Sequence, residues 1–268
     1  MTFNLKYQIG SKYLTKPSKR RSGLAISPEV KFLVAHDTGN PGSTANGNVR
    51  YYENSKDKMS ASAHIFVDDK EIIECIPALV ASAPEKAWHV LYNVPTDDQL
   101  FGCNANDAAI GFEYCYGGSI DADEAYRKYV WVMAYACHKY SLDPKRSVVG
   151  HFFLDPQRKT DPVTGLASSR RTYEQFLRDV VTEFEVCSGF AVEGTVNTIP
   201  QSGTVNVAAK LNIRKGAPNT RAPIHQVVQR GTRLTYAGLV QDGEPVNGNP
   251  LWYDDGNGNY FWSGGVTV

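Results

Sequence analysis

Three residues of the 268-residue chain are of the types that bind a catalytic metal ion: His36, His151 and Asp161. Each histidine stands at the end of a short apolar segment that we predict to be a β-strand, and Asp161 lies in the loop beyond His151. Residues at strand ends and in the loops beyond them can meet at one edge of a sheet. Two imidazoles and one carboxylate would hold zinc with its fourth position open to water, which is the catalytic pattern. The spacing alone leaves open the alternative that each histidine is an ordinary surface or core residue.

Two further charged residues could act beside such a site. Glu113 stands inside the apolar segment AAIGFEYC, where a carboxylate is costly unless it is paired or faces a cleft. In a cleft it could act as a general base, whereas on an alternating strand it could simply face outward. Lys159 lies two residues before Asp161, so an extended loop would point both side chains the same way. Its ammonium could then stabilise an oxyanion, or it could be an ordinary solvated lysine.

His64 and Trp88 are weaker candidates for a binding cleft. His64 lies in SASAHIFV and Trp88 in KAWH, and either side chain could instead pack in the core. Cys115 has no adjacent base, so a thiol nucleophile is unsupported.

The segments that carry these residues predict an α/β domain over residues 1–186, with a central mixed sheet and helices on its faces. The segments SAHIFV and EIIECI predict a hairpin around a polar turn, and apolar residues at helical spacing predict helices. Strands are predicted at 31–35, 108–115 and 147–150, and helices at 45–54, 126–140 and 173–184.

The composition of the chain changes near residue 186. Residues 187–203 are rich in Gly, Ser and Thr, which predicts a linker. Residues 204–268 are punctuated by glycine and have no helical period. There, DDGNGN between two aromatic segments predicts a hairpin, and the whole stretch fits a small antiparallel barrel.

Composition argues against several classes of protein. Lys plus Arg is 28 and Asp plus Glu is 28, so the formal net charge is zero, unlike that of most nucleic-acid binders. No apolar run is long enough for a membrane span, and the first residues lack the apolar segment of a signal peptide. Five cysteines without a CxxC pair favour synthesis in a reducing cytosol over a disulfide framework.

Five motifs in order across residues 31–162 resemble the zinc-dependent N-acetylmuramoyl-L-alanine amidases, which belong to the amidase type 2 and peptidoglycan recognition protein superfamily. The most specific is the last, in which Gly-His is followed by a Pro-x-Arg-Lys-Thr-Asp-Pro loop. The chain departs from many relatives at Ala63, where they have tyrosine. The motifs are VAHDTGN, SAHIFVDDKEIIECIP, KAWH, NDAAIGFEYCYGG and GHFFLDPQRKTDP.

The resemblance implies the peptidoglycan recognition fold and hydrolysis of the amide between N-acetylmuramic acid and L-alanine in peptidoglycan. It implies that His36, His151 and Asp161 bind the zinc ion.

The same resemblance implies roles for four more residues. Glu113 would be the base-like carboxylate, and Lys159 would lie opposite the oxyanion. His64 and Trp88 would line the substrate cleft.

Residues 204–268 resemble bacterial SH3-like cell-wall-binding domains, through LNIRKGAPNT and the aromatic segments near residues 251–262. The resemblance implies that exposed aromatic side chains bind glycan or cross-bridge peptide, whereas Trp252, Tyr253 and Trp262 could instead form the core of the barrel. An amidase with a wall-binding tail and no signal peptide is the layout of a phage or prophage endolysin, made in the host cytoplasm and acting on the wall. We expect a monomer that binds peptidoglycan and neither nucleic acid nor membranes.

Three alternatives remain open at this point. The chain could bind peptidoglycan without activity, which its full zinc-ligand set argues against. It could be a host enzyme for wall turnover or recycling, which its wall-binding tail argues against. It could also be an adhesion module whose α/β part is only a scaffold.

Overall fold

A computed structural model of the protein describes residues 3–188, 196 and 198–267. The chain divides into two compact units, Met1–Ser188 and Gly189–Val268. The first unit is α/β and the second is all-β, as the sequence predicts. In the described part of the chain, no helix is both long and apolar enough to cross a bilayer.

The predicted linker at 187–203 differs from the structure at both of its ends. Cys187 is the last residue of a helix, and residues 198–203 form the first part of a strand. The Gly, Ser and Thr content of this segment is typical of a flexible linker. However, the backbone of 198–203 pairs with a neighbouring strand, and amino-acid composition does not reveal such a pairing. Residues 189–195 and 197, in the middle of the predicted linker, lie outside the described residues.

The first unit is built on a mixed β-sheet whose strands are β1 (Ile9–Ser11), β2 (Phe32–Asp37), β3 (Ile65–Val67), β4 (Ile72–Glu74), β5 (Ala109–Tyr114) and β6 (Val148–Gly150). They lie in the order β1-β4-β3-β5-β2-β6. The strands β3, β5, β2 and β6 run parallel to one another, and β4 runs antiparallel to β3. These pairings confirm the predicted strands and the predicted hairpin. Every residue of β2 is buried, as expected for a central strand that is covered on both faces.

The helices of the first unit are α1 (Ala45–Asn54), α2 (Thr96–Phe101), α3 (Ala105–Ala108), α4 (Ala122–Lys139), α5 (Pro144–Ser147), α6 (His151–Leu154), α7 (Val163–Ser168) and α8 (Tyr173–Cys187). The predicted helices correspond to α1, α4 and α8. The start of α8 is set by Thr172, whose side chain accepts a hydrogen bond of 3.1 Å from the backbone N–H of Gln175. The shorter helices carry too few residues for a periodic pattern, and the sequence analysis did not predict them.

The two faces of the sheet have different cores. On one face α4 packs against β2, β3 and β5, and α8 packs against α4. Leu33 and Ala35 of β2 belong to the core on this face, whereas Phe32 and Val34 belong to a smaller core on the other. Because side chains alternate along a strand, His36 lies on the side of Phe32 and Val34.

Tyr129 of α4 connects the helical layer to the strand that carries His36. Its ring stacks on that of Phe176 of α8, with 5.2 Å between the centroids. Its hydroxyl donates a 3.0 Å hydrogen bond to the backbone carbonyl of His36. The packing of α4 and α8 therefore bears directly on the position of that strand end.

The second unit is one antiparallel sheet, and its strands are β7 (Thr198–Val207), β8 (Leu211–Lys215), β9 (Ile224–Val228), β10 (Arg233–Val240), β11 (Trp252–Asp254), β12 (Asn259–Trp262) and β13 (Val266–Thr267). They lie in the order β13-β7-β10-β11-β12-β8-β9. The turn between β11 and β12 is the predicted DDGNGN hairpin. Gly256 and Gly258 have φ values of 81° and 75° there, a backbone conformation that favours glycine.

The aromatic side chains of the second unit serve mainly as its core. Within residues 198–267, all of them are buried or half-buried, and Trp252 and Phe261 are almost completely inaccessible. The indole N–H of Trp252 donates to the carbonyl of Glu244, and that of Trp262 donates to the carbonyl of Asn249. The expectation of exposed aromatic side chains for ligand binding is therefore wrong for the four buried ones, Trp252, Tyr253, Tyr260 and Phe261, because a sheet this small needs large side chains to bury enough apolar surface. Tyr236 and Trp262 are partly exposed.

We expect Phe176→Ala to lower the free energy of unfolding of the first unit by about 3–5 kcal/mol, because it opens a cavity between α8 and α4. Phe153→Ala is the matched control, since Phe153 is 52% exposed and its loss should change stability by less than about 0.5 kcal/mol. Urea unfolding followed by circular dichroism at the helix band reports on the first unit alone, because the α-helices of the described chain all lie there. Equal effects of the two substitutions would contradict the assigned core.

Candidate metal centre and cleft

The parallel strands β2, β5 and β6 bring three of the predicted site residues to one edge of the sheet. His36 on β2 lies directly beside Glu113 on β5, because the two are register partners. On the other side of β2, Ala35 pairs with Gly150, the last residue of β6, and His151 follows at once. The carboxyl ends of these strands therefore present two imidazoles and one carboxyl group side by side.

Asp161 reaches this edge from a loop that the backbone holds in place. Its carbonyl accepts a 2.8 Å hydrogen bond from the N–H of Phe152, the residue after His151. Earlier in the loop, the carbonyl of Asp155 accepts from the N–H groups of Arg158 and Lys159, at 3.1 and 3.0 Å. The loop therefore begins with a hydrogen-bonded turn just after the end of α6, and at Asp161 it is bonded to the start of α6.

His36, His151 and Asp161 meet as the sequence analysis proposed. One carboxylate oxygen of Asp161, Oδ2, lies 2.9 Å from Nδ1 of His36 and 3.0 Å from Nδ1 of His151. The candidate ligand atoms of the three residues all lie within 4.8 Å of one another. Both histidines are buried, and Asp161 is half-buried. The three groups are close enough to bind one metal ion.

The protonation states of His36 and Asp161 suit a metal ion. Burial lowers the pKa of His36 to about 4, so its imidazole is neutral near pH 7 and keeps a lone pair available. Burial alone would raise the pKa of Asp161, but hydrogen bonds from His151 and His36 hold it below its ordinary value. A neutral imidazole and an ionised carboxylate are the forms that bind metal ions.

Glu113 is a half-buried carboxyl group at the base of the same cleft. Its Oε2 is buried and makes no hydrogen bond. Burial raises the pKa of Glu113 well above its ordinary value, and the negative charges of Asp161 and Asp37 raise it further, against the opposing charge of Lys159. A half-buried carboxyl group with one unpaired oxygen beside a candidate metal site is a candidate for a group that exchanges protons.

The cleft around the trio has a volume of about 360 Å³. Glu113, Lys159 and Trp88 all line it, Lys159 as an exposed side chain and Trp88 as a half-buried one. A neighbouring pocket of about 530 Å³ shares Glu113 with the cleft and is lined mainly by uncharged polar and aromatic side chains. The site can therefore accept a ligand that extends well beyond the trio.

His64 does not line the cleft, and the expectation that it would is wrong. Its side chain is completely buried, and both of its ring nitrogens are used by the backbone. Its Nε2 lies 2.9 Å from the carbonyl of Glu85, and its Nδ1 accepts a 2.9 Å hydrogen bond from the N–H of Gly111. His64 instead joins the hairpin strand to β5, a contact between distant segments that no local pattern reveals.

Sequence analysis missed two residues of the site, His89 and Tyr52. The ring of His89 contacts that of His36, and Tyr52 of α1 lines both the cleft and the neighbouring pocket. The Arg20 guanidinium lies 4.1 Å from the centre of the Tyr52 ring. His89 belongs to the quoted motif KAWH, which was a usable signal, whereas Tyr52 lies in a helix with only a weak pattern.

Comparison with solved structures agrees with the fold of the first unit. The chain superposes on Staphylococcus aureus hydrolase AmiA with a TM-score of 0.55 and 22% identity, covering 69% of this chain and 86% of that one. It superposes on the catalytic domain of XlyA with a TM-score of 0.51 and 23% identity, covering 65% of this chain and 99% of that one. At these identities the similarity concerns the fold alone.

Sequence comparison identifies two amidases of Bacillus subtilis that this chain matches over part of their length. N-acetylmuramoyl-L-alanine amidase BlyA of Bacillus subtilis is 32% identical over 169 residues, which cover 59% of this chain and 43% of BlyA. CwlA of the same organism, also an N-acetylmuramoyl-L-alanine amidase, is 35% identical over 104 residues, which cover 38% of this chain and 33% of CwlA. The chain thus matches less than half the length of either relative.

The family profile described as N-acetylmuramoyl-L-alanine amidase matches residues 27–164, just over half of the chain. This match includes β2, β5 and β6 and the loop that carries Asp161. With the fold, the site and this match together, the chain belongs to the N-acetylmuramoyl-L-alanine amidase family.

Proposed function

We propose that this protein is a zinc-dependent enzyme that hydrolyses the amide bond between N-acetylmuramic acid and L-alanine in peptidoglycan. The observation that carries the proposal is the meeting of His36, His151 and Asp161 at one sheet edge, with Glu113 in the same cleft. A peptidoglycan-binding protein without activity would need no such set of ligands beside an unpaired carboxyl group, so the site favours an enzyme over a binding protein.

The trio has the ligand chemistry that zinc prefers, and its spacing is close to what zinc needs. Two imidazoles and one carboxylate form a three-ligand zinc set with one position left for water or substrate. Zinc bonds of about 2.0–2.1 Å in a tetrahedron separate neighbouring ligand atoms by about 3.3–3.4 Å. The two Nδ1 atoms lie 2.9 and 3.0 Å from Asp161 Oδ2, so small side-chain rotations would suffice to admit the ion.

A zinc ion held there would supply Lewis acidity, polarising the substrate carbonyl and lowering the pKa of water. The ionised carboxylate of Glu113 would accept a proton from the attacking water and then return it to the leaving nitrogen of L-alanine. The C–N bond breaks, the lactoyl group becomes a carboxylate and the stem peptide leaves with a free amine. The unpaired Oε2 of Glu113 is free to carry that proton.

Lys159 and Trp88 would act on the substrate from the walls of the cleft. The exposed ammonium of Lys159 would stabilise the charge that develops on the carbonyl oxygen in the transition state. Trp88 would offer a ring face to the sugar or the peptide. The uncharged polar groups of the neighbouring pocket would suit sugar hydroxyls and peptide groups.

The second unit would anchor the enzyme to the cell wall as an SH3-like domain. Its described aromatic side chains serve as core, so we expect its polar loops and strand edges to contact the polymer. A catalytic unit followed by a wall-binding unit suits a monomeric bacteriophage or prophage endolysin. Such a protein would be made in the host cytoplasm and would lyse the wall from within.

The function is tested by digesting purified peptidoglycan and identifying the products by mass spectrometry. We expect free stem peptides that begin with L-alanine, and glycan strands that keep an intact lactoyl group. Chelation should abolish their release, and added zinc should restore it. Asp161→Ala should abolish it too, whereas Asp57→Asn, at an exposed position, should not. Cleavage of another bond, or full activity in metal-free protein, would overturn the proposal.

Glu113→Gln should retain bound zinc and lower turnover by about a hundredfold or more, because the amide cannot relay a proton. Lys159→Met should lower turnover more than substrate affinity, since its charge interacts with the transition state. Lys139→Met, at the exposed end of α4, is the matched control and should change neither. Normal turnover per zinc-bound molecule of Glu113→Gln would exclude its catalytic role.

The fragment 1–188 should cleave soluble muropeptides about as fast as the whole chain, because all the proposed catalytic residues lie in it. On intact walls it should be slower, since the second unit raises the local enzyme concentration without touching the scissile bond. The fragment 189–268, fused to a fluorescent protein, should label walls. If it does not bind while 1–188 lyses walls at the full rate, the second unit is not the anchor.

A further inference from the structure

The second ring nitrogen of His36 has a specific partner that the proposed reaction does not use. Nε2 of His36 lies 3.0 Å from Nδ1 of His89, within hydrogen-bonding distance. The two rings are nearly perpendicular, at 84°, with centroids 5.2 Å apart. Both side chains are buried, His36 at 3% and His89 at 9% exposure, so water does not compete strongly for this contact.

The proposed metal centre determines which nitrogen donates in this contact. His36 would bind the metal through Nδ1, the atom that faces Asp161, and a neutral imidazole must then carry its proton on Nε2. That N–H donates to Nδ1 of His89, so His89 must accept there and carry its own proton on Nε2.

We propose that His89 is a positioning residue for the metal ligand His36, fixing its tautomer and the orientation of its ring. The inference rests on the proposed function, because it concerns a ligand of the proposed zinc site. A hydrogen bond to the second nitrogen of a metal-bound histidine raises the basicity of the ligand, and its loss typically weakens metal binding by about 10–100-fold.

The surroundings of His89 hold its ring in this position. The side-chain oxygen of Asn106, itself only 1% exposed, accepts from the backbone N–H groups of His89 and Val90 at 2.8 and 3.0 Å. The side-chain amide of Asn106 donates back to the carbonyl of Val90 at 2.5 Å. These three bonds clamp the segment that carries His89 against α3.

Gly111 of β5 makes room for the ring. A Cβ atom at this position would lie 2.8 Å from Nδ1 and 2.9 Å from Cγ of His89, closer than side chains tolerate. Gly111 lies two residues before Glu113 on the same face of β5, so a larger residue there would push His89 away from His36. A glycine in a central strand gives up side-chain packing, and here that lost volume is occupied by the imidazole.

Packing alone does not explain why a histidine, rather than an apolar residue, occupies position 89. Its Nε2 is buried and makes no hydrogen bond. Burying a polar atom without a partner is unfavourable, and an apolar side chain of similar size would avoid that cost. The hydrogen bond to His36 is what such a side chain could not provide.

The experiment measures zinc affinity of the full-length protein by competition with a chromophoric chelator, together with the visible spectrum of the cobalt-substituted form. His89→Leu removes the acceptor, and His89→Asn places an amide oxygen near the position of Nδ1. Gly111→Ala keeps His89 but displaces its ring. The matched control is His225→Leu, because His225 is exposed on β9 of the second unit.

We expect His89→Leu and Gly111→Ala to weaken zinc binding by about 10–100-fold and to shift the cobalt spectrum. His89→Asn should restore most of the affinity, and His225→Leu should leave it unchanged. Unchanged affinity in His89→Leu, or an equal loss in His89→Asn and His89→Leu, would overturn the inference. If His89→Leu does not fold, the zinc affinities of Gly111→Ala and His89→Asn are compared instead. Weaker binding in Gly111→Ala than in His89→Asn would support the inference, and equal affinities would overturn it. A wild-type protein that binds no zinc would instead overturn the proposed metal centre itself.

Discussion

The parallel pairing of β2 with β5 on one side and β6 on the other is the constraint on which the site depends. Parallel strands end at the same edge, so the register that pairs His36 with Glu113 and Ala35 with Gly150 also places His151 beside them. A slip of one residue in either pairing would send one of these side chains to the opposite face. The helical core beneath, through Tyr129, helps to hold β2 in that register.

Burial then gives the polar groups at this edge their chemical character. Water would keep the imidazole of His36 partly charged and the carboxyl group of Glu113 ionised, whereas the low dielectric shifts both toward their neutral forms. Asp161 is the exception, because two hydrogen bonds from imidazole nitrogens stabilise its charge. The proposed zinc site requires the neutral imidazole of His36 and the ionised carboxylate of Asp161. The raised pKa of Glu113 makes its ionised carboxylate a stronger base for the proposed proton transfer.

The histidines of this unit illustrate how similar residues take different roles. His64 and His89 are both buried near β5, and both lie against Gly111. The N–H of Gly111 donates to His64, and the missing side chain of Gly111 leaves room for the ring of His89. Both ring nitrogens of His64 make hydrogen bonds to backbone groups, so His64 contributes to the fold. His89 contacts His36 through one nitrogen, which connects it to the proposed metal site.

The sequence alone was enough to predict the α/β class of the first unit, its main strands and helices, the β-hairpin of the second unit and the candidate ligands His36, His151 and Asp161. These depend on local periodicity, on turn residues and on motifs of contiguous residues, all of which can be read along the chain. The tertiary structure decided that Glu113 faces the cleft rather than solvent, that His64 does not, and that residues 198–203 join a strand. It also brought His89 to His36, across 53 residues of sequence. The physical reason is that burial and hydrogen-bond partners arise from contacts between distant segments, and local patterns do not contain them.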